Sequence, residues 1–250
     1  MKTFNDWKGK WFLVTGGAER VGASIVEYLA ARGLNPIIHA RSDRPSLHEL
    51  KERVEREYGV EAKTVIGELT KEADVKAIFA EISPDVVINN AATFKPDDTD
   101  ENMAANKDAP LLVMREAVAR MRADKKGGVI IFVGDAFLDK GGVYDESLAG
   151  YSLSKGWIRD EVRRLAPLNR EGIRVNAVMN GAIEAPSTAT PEAIAQFASE
   201  INMPATELHP LIGGERVGQL IYGLLIAEGV VGESVRVDGG REALSAPKEH

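Results

Sequence analysis

Tyr151 and Lys155 are the two residues in this sequence best suited to proton transfer. They lie four positions apart in the segment YSLSK, and this spacing places both side chains on one face of a helix. A free tyrosine has a pKa of about 10, and a lysine ammonium one turn away lowers it by stabilising the phenolate. The pair is therefore a candidate general acid with its own electrostatic partner. Taken alone, the motif is equally compatible with an exposed helical pair.

A glycine-rich segment near the amino terminus is a candidate phosphate-binding turn. Gly16, Gly17 and Gly22 lie between a predicted strand, Phe12–Thr15, and a predicted helix, Glu19–Arg32. Glycine permits a tight turn and a close approach of the backbone to a ligand, and the amino terminus of the helix attracts a pyrophosphate. The position after the first strand favours a bound nucleotide over a purely structural turn.

The end of the second predicted strand, Asn35–Ala40, indicates which nucleotide is bound. No acidic residue stands at its tip, where one would bind the ribose diol of NAD(H); Arg41 and Ser42 follow instead. Arginine forms bidentate hydrogen bonds with phosphate, and Arg20 in the glycine turn is a second candidate. The sequence therefore predicts NADP(H). The alternative is that Arg41 is a solvated surface residue paired with Asp43.

Short apolar runs alternate with longer amphipathic stretches along the whole chain. This alternation indicates parallel strands joined by right-handed crossovers, with helices on both faces of the sheet. We therefore predict one α/β domain over residues 1–250, with a doubly wound parallel sheet of about seven strands. The remaining predicted elements are Leu47–Tyr58, Ala62–Gly67, Lys71–Ile82, Asp85–Asn90, Asp98–Arg122 with a bend near Pro110, Gly128–Gly134, Tyr151–Asn169, Ile173–Met179, Glu192–Glu200, Gly213–Glu228 and Ser234–Val237.

Two segments interrupt this alternation, Ala136–Gly150 and residues 182–210. Both follow predicted strands, so both are expected at the carboxyl edge of the sheet, where open α/β sheets bind ligands. The second contains four prolines, and we predict that it is a substrate lid. A surface excursion without a function is the alternative.

Composition excludes several classes of protein. The net charge of −7 and the absence of a basic motif disfavour nucleic acid as a partner. No apolar run is long enough to span a membrane, and the polar N-terminus does not resemble a secretory signal, so we expect a cytoplasmic protein. The chain has no cysteine, and its four histidines lack metal-ligand spacing, so no metal site is predicted.

Six segments together resemble the short-chain dehydrogenase/reductase family: TGGAERVG, NNAA, NKDAP, YSLSK, GIRVNAV and VDGG. They occur in the family's order and cover nearly the whole chain. The resemblance implies a Rossmann-type fold, a nicotinamide cofactor, and a catalytic tetrad of which Asn106, Tyr151 and Lys155 are three members. The fourth position holds serine in the general family, but Asp135 stands there in this sequence.

Asp135 is one of several features similar to the pteridine reductase branch of that family. The others are Arg20-Val21-Gly22 in the turn, HARS at the end of the second strand, Phe94 in NNAATF, and LAP before the sixth strand. The branch implies NADPH-dependent hydride transfer to a C=N bond of a dihydropterin, with Phe94, Asp135 and Tyr151 contacting the substrate. Three alternatives remain: a carbonyl or quinone reductase of the same fold, a non-catalytic NADP(H)-binding sensor, and a divergent inactive relative.

The resemblance also implies a set of cofactor contacts and an assembly. The chain departs from the family at Asn180 and Ala185, near the nicotinamide, and at Glu68, near the adenine. A homotetramer built on helices Asp98–Arg122 and Tyr151–Asn169 is expected. The implied cofactor contacts are Gly16, Arg20, Val21, Gly22, Arg41, Ser42, Glu68, Leu69, Asn90, Ala91, Tyr151, Lys155, Gly181 and Ile183.

Overall fold

A computed structural model describes residues 7–139, 146–181 and 213–239 of the chain. Seven strands within these residues pair in parallel to form one sheet, in the order β3-β2-β1-β4-β5-β6-β7. The prediction of a doubly wound parallel sheet of about seven strands is confirmed. The strands are β1 (Trp11–Val14), β2 (Asn35–Ala40), β3 (Lys63–Ile66), β4 (Val86–Asn89), β5 (Gly128–Asp135), β6 (Ile173–Asn180) and β7 (Ser234–Val237).

Helices connect the strands and cover both faces of the sheet. Helices α1, α2 and α9 pack on one apolar cluster, and α3, α5 and α8 pack on a second cluster across the sheet. The helices are α1 (Arg20–Ala30), α2 (Pro45–Tyr58), α3 (Glu72–Glu81), α4 (Thr99–Met103), α5 (Ala109–Ala123), α6 (Ala136–Asp139), α7 (Ala149–Gly156), α8 (Ile158–Leu165) and α9 (Gly214–Ile226).

The order of strands reverses beside β1, and this reversal positions the site. β1 pairs with β2 on one side and with β4 on the other, so Val14 lies between Ile38 and Ile88. The connections leaving β1 and β4 therefore diverge to opposite faces, and a crevice opens at their carboxyl ends. Open α/β sheets bind their ligands in such a crevice.

The two long predicted helices are each divided in the structure. A π-helical turn, Ala104–Asp108, separates α4 from α5, and Pro110 lies at the start of α5. Proline has no N–H to donate to the carbonyl of Asn106 four residues earlier, so the regular ladder is interrupted there. The second predicted helix is divided at Trp157 into α7 and α8 and ends in a 3-10 segment, Ala166–Glu171.

Strand boundaries agree closely with the sequence predictions. β2 and β7 have the predicted bounds, and each of the other strands differs by one residue at one end or at both ends. The predicted lid 182–210, the predicted helix Glu192–Glu200, and the residues Ile183 and Ala185 lie outside the described residues.

Candidate active site

A cleft of about 560 Å³ opens at the carboxyl ends of β1, β2, β3 and β4. It is elongated, running from the end of β2 past the glycine turn to the start of α5. Its walls combine backbone, small side chains and a few charged groups, as expected for a site that binds a large polar cofactor. The lining residues are Thr15, Gly16, Ala18, Glu19, His39, Ala40, Arg41, Arg44, Gly67, Glu68, Leu69, Thr70, Asn89, Ala91, Ala92, Thr93, Glu101, Ala104, Ala105, Ala109 and Pro110.

The glycine turn is held rigidly from within the protein. Gly16 adopts the left-handed conformation, with φ of 60°, and its N–H donates to Nδ1 of His39 at 3.1 Å. Its carbonyl accepts from Nδ2 of Asn90 at 3.2 Å, while the Gly17 N–H donates to the His39 carbonyl at 2.9 Å. The amides of these two glycines are thus used inside the protein, so the amides available to a pyrophosphate begin with the residues that follow them.

Gly22 is required by the close packing of α1 on this turn. A Cβ atom at residue 22 would lie 2.2 Å from the carbonyl oxygen of Gly16 and 2.8 Å from Nδ2 of Asn90. Movement of either atom away from a Cβ would break the hydrogen bond that joins the two atoms. The start of α1 is thereby packed closely on the glycine turn, and the amino terminus of a helix attracts an anion.

Two arginines, Arg41 and Arg44, line the cleft at the end of β2. Arg44 donates to Oε1 of Glu19 at 3.0 Å, and Ser46 donates to the same oxygen at 3.0 Å. These two hydrogen bonds lower the pKa of Glu19, so the carboxylate stays charged and fixes Arg44. Arg41 was predicted from the sequence, whereas Arg44 was not, although it is a second arginine only three residues further along the chain.

Arg20 and Ser42 were also predicted at this end, but neither is among the described residues that line the cleft. The Ser42 hydroxyl lies 3.4 Å from Nη2 of Arg44 and accepts from it. Arg20, the first residue of α1, has a φ of 51° and is exposed. The predicted contacts of both residues with the cofactor phosphate stay predictions.

Asn90 and Glu68 hold the turns that border the cleft. Asn90 donates from its backbone N–H to the Thr15 hydroxyl at 2.9 Å and from its side chain to the Thr15 carbonyl at 3.0 Å. Glu68 donates its N–H to Asp74 and accepts from the Thr70 amide, which shapes the turn after β3. Glu68, Leu69 and Ala91 line the cleft, as the predicted cofactor contacts require.

The cleft contains a buried polar side chain without a partner, that of Asn89. Asn89 is 4% exposed, and neither its amide nitrogen nor its amide oxygen has a hydrogen-bond partner among the described residues. An unpaired buried amide is costly, so a side chain of this kind in a ligand cleft indicates a group that is supplied on binding. Together with the cradle around Gly16 and Gly22, this fits a nicotinamide dinucleotide.

Tyr151, Asp135 and Lys155 come together at the carboxyl end of β5, as predicted. The Tyr151 hydroxyl donates to Oδ2 of Asp135 at 3.1 Å. The other carboxylate oxygen accepts from the amides of Phe137 and Leu138, at 2.9 and 3.3 Å, which fixes the carboxylate at the start of α6. In each of these three bonds the carboxylate is the acceptor.

Lys155 is buried behind the tyrosine, where its ammonium donates to the carbonyl of Val133 at 3.0 Å. Burial lowers the pKa of Lys155 to about 8, although the neighbouring Asp135 carboxylate acts in the opposite direction. The lysine is therefore still charged at neutral pH, but less firmly than a surface lysine.

Asn106 lies in the π-helical turn and is completely buried. Its amide oxygen accepts from the Thr93 N–H at 2.8 Å, while its Nδ2 donates to the Thr93 carbonyl at 2.8 Å and to Ser154 at 3.0 Å. Ser154 in turn donates to the backbone carbonyl of Tyr151 at 2.7 Å. Asn106 therefore holds the loop after β4 against the helix that carries Tyr151, and Ser154, which sequence reasoning missed, is the link.

Phe94 stands beside the tyrosine on an exposed wall of the site. Its ring centroid lies 4.7 Å from that of Tyr151 at an interplanar angle of 67°, and the residue is 53% exposed. An aromatic ring left this open beside a proton donor can contact a flat substrate. Gly181, predicted near the nicotinamide, donates its N–H to the Val237 carbonyl, and its own carbonyl accepts from Asn180.

Comparison with known proteins agrees with this geometry. The short chain dehydrogenase family model matches residues 10–194. The chain is 28% identical to a 3-oxoacyl-[acyl-carrier-protein] reductase of Aquifex aeolicus, over 93% of this chain and 97% of that protein. It is 29% identical to a glucose 1-dehydrogenase of Gluconobacter oxydans over 93% and 91%, and 26% identical to an uncharacterised oxidoreductase of Thermotoga maritima over 96% and 100%.

The protein belongs to the short-chain dehydrogenase family, whose members are oxidoreductases that use nicotinamide cofactors. None of the helices in the described residues is long and apolar enough to cross a membrane. Within the same residues, no cluster of three or more His, Asp or Glu side chains is placed to hold a metal ion.

Proposed function

We propose that this protein is an NADPH-dependent reductase that transfers hydride to a C=N bond of a dihydropterin or a related fused heterocycle. The observation that carries this proposal is the Asp135 carboxylate, fixed by two backbone amides and hydrogen-bonded to the Tyr151 hydroxyl. An ionised carboxylate offers only acceptors. It therefore favours a substrate edge with N–H donors, which a pterin has, over the bare acceptor oxygen of a ketone.

Phe94 supports the same substrate class. Its exposed ring is in edge contact with the Tyr151 ring, so it offers an apolar face beside the proposed proton donor. A flat heterocycle can lie against the Phe94 ring while its N–H edge faces Asp135. A small aliphatic ketone would leave most of that ring uncovered.

The preference for NADPH rests on the charges at the end of β2. Arg41 and Arg44 both line the cleft there. Glu19 forms an ion pair with Arg44, whereas no carboxylate among the described residues forms one with Arg41. A 2′-phosphate adds about two negative charges at this point, so NADPH would form a charge-assisted hydrogen bond with Arg41. The uncharged ribose hydroxyl of NADH would not.

The residues of the site divide the chemistry of reduction between them. A reduced nicotinamide held in the cleft would supply the hydride for the carbon of the C=N bond. Tyr151 then donates its hydroxyl proton to the nitrogen, which completes the two-electron reduction. The buried ammonium of Lys155 stabilises the phenolate that remains, and Asp135 orients the hydroxyl and the substrate edge.

A second candidate is reduction of a carbonyl group, which the printed names of two relatives favour: one is a 3-oxoacyl reductase and the other a glucose dehydrogenase. In that case the Tyr151 hydroxyl would donate to the substrate oxygen. Purified protein assayed with NADPH against dihydrobiopterin, dihydrofolate, a quinone and simple ketones separates the two. Oxidation of NADPH by the dihydropterins supports the first, whereas turnover of a ketone or quinone alone supports the second.

We also propose a homotetramer built on α4–α5 and α7–α8. Leu153 on α7 is 66% exposed in the single chain, and an apolar side chain so exposed on a helix is suited to an interface between subunits. Light scattering should give about 108 kDa, four times the 27.1 kDa of the chain. A mass near that of the single chain would contradict this assembly.

A further inference from the structure

His39 is a buried histidine that the proton-transfer chemistry does not use. It lies in β2, is 3% exposed and lines the cleft. Its Nδ1 accepts from the Gly16 N–H at 3.1 Å, and its Nε2 lies 3.0 Å from the Gly67 carbonyl oxygen. The two ring nitrogens therefore join two turns that belong to different strands.

The partners of the ring determine its protonation state. Gly16 offers an N–H, so Nδ1 must present a lone pair, and Gly67 offers a carbonyl, so Nε2 must carry the hydrogen. The ring is therefore neutral, in the Nε2–H tautomer. Burial lowers the pKa of His39 and keeps this state, while the Gly67 carbonyl and the Glu68 carboxylate act in the opposite direction.

Both turns that His39 joins border the cofactor cleft. Gly16 begins the glycine turn, and Gly67 precedes Glu68 and Leu69 in the turn after β3. The N–H of Gly16 is held by His39 and its carbonyl is held by Asn90, so both ends of this residue are fixed by hydrogen bonds. A change at His39 would therefore alter the glycine turn and its distance from Glu68 together.

We propose that His39 is a positioning residue for the dinucleotide, whose neutral ring fixes the glycine turn and the Gly67–Leu69 turn at the separation that the cofactor requires. It acts through these two turns and contacts no reacting atom. The inference depends on the nicotinamide cofactor of the family and not on the choice between NADPH and NADH or on the pterin substrate. Loss of the ring should therefore weaken cofactor binding and leave the chemical step intact.

Three substitutions separate the two hydrogen bonds. His39→Asn places an amide oxygen where Nδ1 stands, so it can still accept from Gly16 but does not reach Gly67. His39→Gln reaches the position of Nε2, so it can donate to Gly67 but loses the Gly16 contact. His39→Phe keeps the ring shape and loses both bonds.

The test is the dissociation constant of NADPH and of NADH at pH 7.5 for the wild type and the three variants, with kcat at saturating cofactor. Loss of one hydrogen bond predicts about threefold weaker binding for His39→Asn and for His39→Gln, and loss of both predicts about tenfold for His39→Phe. We expect kcat to stay within about twofold of the wild type. Unchanged affinity in His39→Phe, or a fall in kcat with unchanged affinity, would overturn the proposal.

A measurement on the wild type alone covers the case in which a variant does not fold. Nitrogen-15 spectra of labelled histidine should report a neutral His39 with hydrogen on Nε2 at pH 7, and an imidazolium or the opposite tautomer would contradict the inference. Acidification should weaken cofactor binding in the wild type more than in His39→Asn, because Nδ1 protonation turns the Gly16 acceptor into a donor. The other charged groups that line this cleft are Glu19, Arg41, Arg44, Glu68 and Glu101, and they are the same in both proteins.

The outcome for His39 is independent of the proposed substrate. A wild type that binds a cofactor tightly but reduces no pterin would refute pterin reduction and leave the His39 test complete. Equal binding by the wild type and His39→Phe would refute the role of His39, whatever substrate is reduced.

Discussion

The Tyr151 hydroxyl donates its hydrogen bond to Oδ2 of Asp135, 3.1 Å away. The carboxylate that provides this acceptor is fixed in position, because its Oδ1 accepts from the amides of Phe137 and Leu138. The hydroxyl hydrogen of Tyr151, which we propose as the proton used in the reaction, therefore points at Oδ2 of Asp135. This pairing replaces the serine–tyrosine pair that the family resemblance implies, and the substrate class that we propose rests on it.

Tyr151→Phe tests the proton donor. Removal of a general acid typically costs about 10²–10⁴-fold in rate, so we expect kcat to fall by that factor. The dissociation constant of NADPH should stay within about twofold of the wild type, since the phenol acts in the chemical step. Steady-state kinetics and a fluorescence titration measure the two quantities, and near-wild-type turnover by the variant would remove Tyr151 from the mechanism.

Asp135→Ser tests the substrate class. Serine retains an acceptor and a donor but loses the charge, so we expect about 10²-fold lower kcat/KM with a dihydropterin and a gain of weak carbonyl reduction. Asp135→Asn is the matched control: its Oδ1 keeps the amides of Phe137 and Leu138, while its Nδ2 presents a donor to Tyr151. If the two variants reduce a dihydropterin as well as the wild type, the carboxylate has no role in substrate choice.

Phe94→Ala should act mainly on substrate binding. Stacking on an aromatic ring is similar in the ground and transition states, so KM for a dihydropterin should rise about tenfold with little change in kcat. Tyr58→Ala is a suitable control, because Tyr58 is an exposed aromatic side chain on α2 that does not line the cleft. An equal rise in KM for a small ketone would show that Phe94 shapes the pocket in general.

Arg41→Ala should reduce the preference for NADPH. A charge-assisted hydrogen bond contributes about 1.5–3 kcal/mol, so NADPH should bind about 10- to 100-fold more weakly while NADH is little affected. Arg53→Ala is the control, since Arg53 on α2 pairs with Glu27 on α1 and neither residue lines the cleft. Equal affinity of the wild type for the two reduced cofactors would contradict the assignment of NADP(H).

Because burial lowers the pKa of Lys155, we expect the rate of the reaction to depend on pH. Because the pKa of Lys155 is lowered to about 8, the charge that stabilises the phenolate is present below that pH and is lost above it. We therefore expect kcat to fall as the pH rises through about 8. A profile of kcat that stays flat to pH 9.5, measured with saturating cofactor, would contradict this role.

Stability should change with pH in the opposite direction. The folded pKa of Lys155, about 8, lies below that of an unfolded lysine, so between these values the unfolded chain binds more protons and stability rises with pH. The lysine contribution should increase the free energy of unfolding by about 2 kcal/mol between pH 7 and pH 9.5. Lys155→Met lacks this contribution, so urea unfolding of the two proteins at both pH values isolates it.

The arrangement of strands was predictable because each strand is a short apolar run bounded by polar residues or glycine. β2 and β7 have the predicted bounds for this reason. Helical periodicity does not distinguish an α-turn from a π-turn, so the interruption at Ala104–Asp108 was visible only as a bend expected near Pro110. The division at Trp157 carried no signal of this kind.

Residues with recognisable chemistry were found in the sequence, and residues that act through others were not. Asp135, Tyr151 and Lys155 meet as expected because a strand end and one helix face carry them. His39 and Ser154 were missed, since their roles depend on backbone groups of distant segments, Gly16 and Gly67 for the first and Tyr151 for the second. The spacing of residue types along the sequence does not predict such contacts with backbone groups.

Transfer of a labelled hydride is the most direct test of the central claim. Purified protein is incubated with NADPH deuterated at the transferring position of the nicotinamide and with dihydrobiopterin, and the product is analysed by mass spectrometry. Pterin reduction predicts a tetrahydropterin that carries the deuterium on carbon, formed by the wild type and lost in Tyr151→Phe. Unlabelled dihydrobiopterin recovered intact, beside a ketone or quinone reduced with the label under the same conditions, would contradict the account.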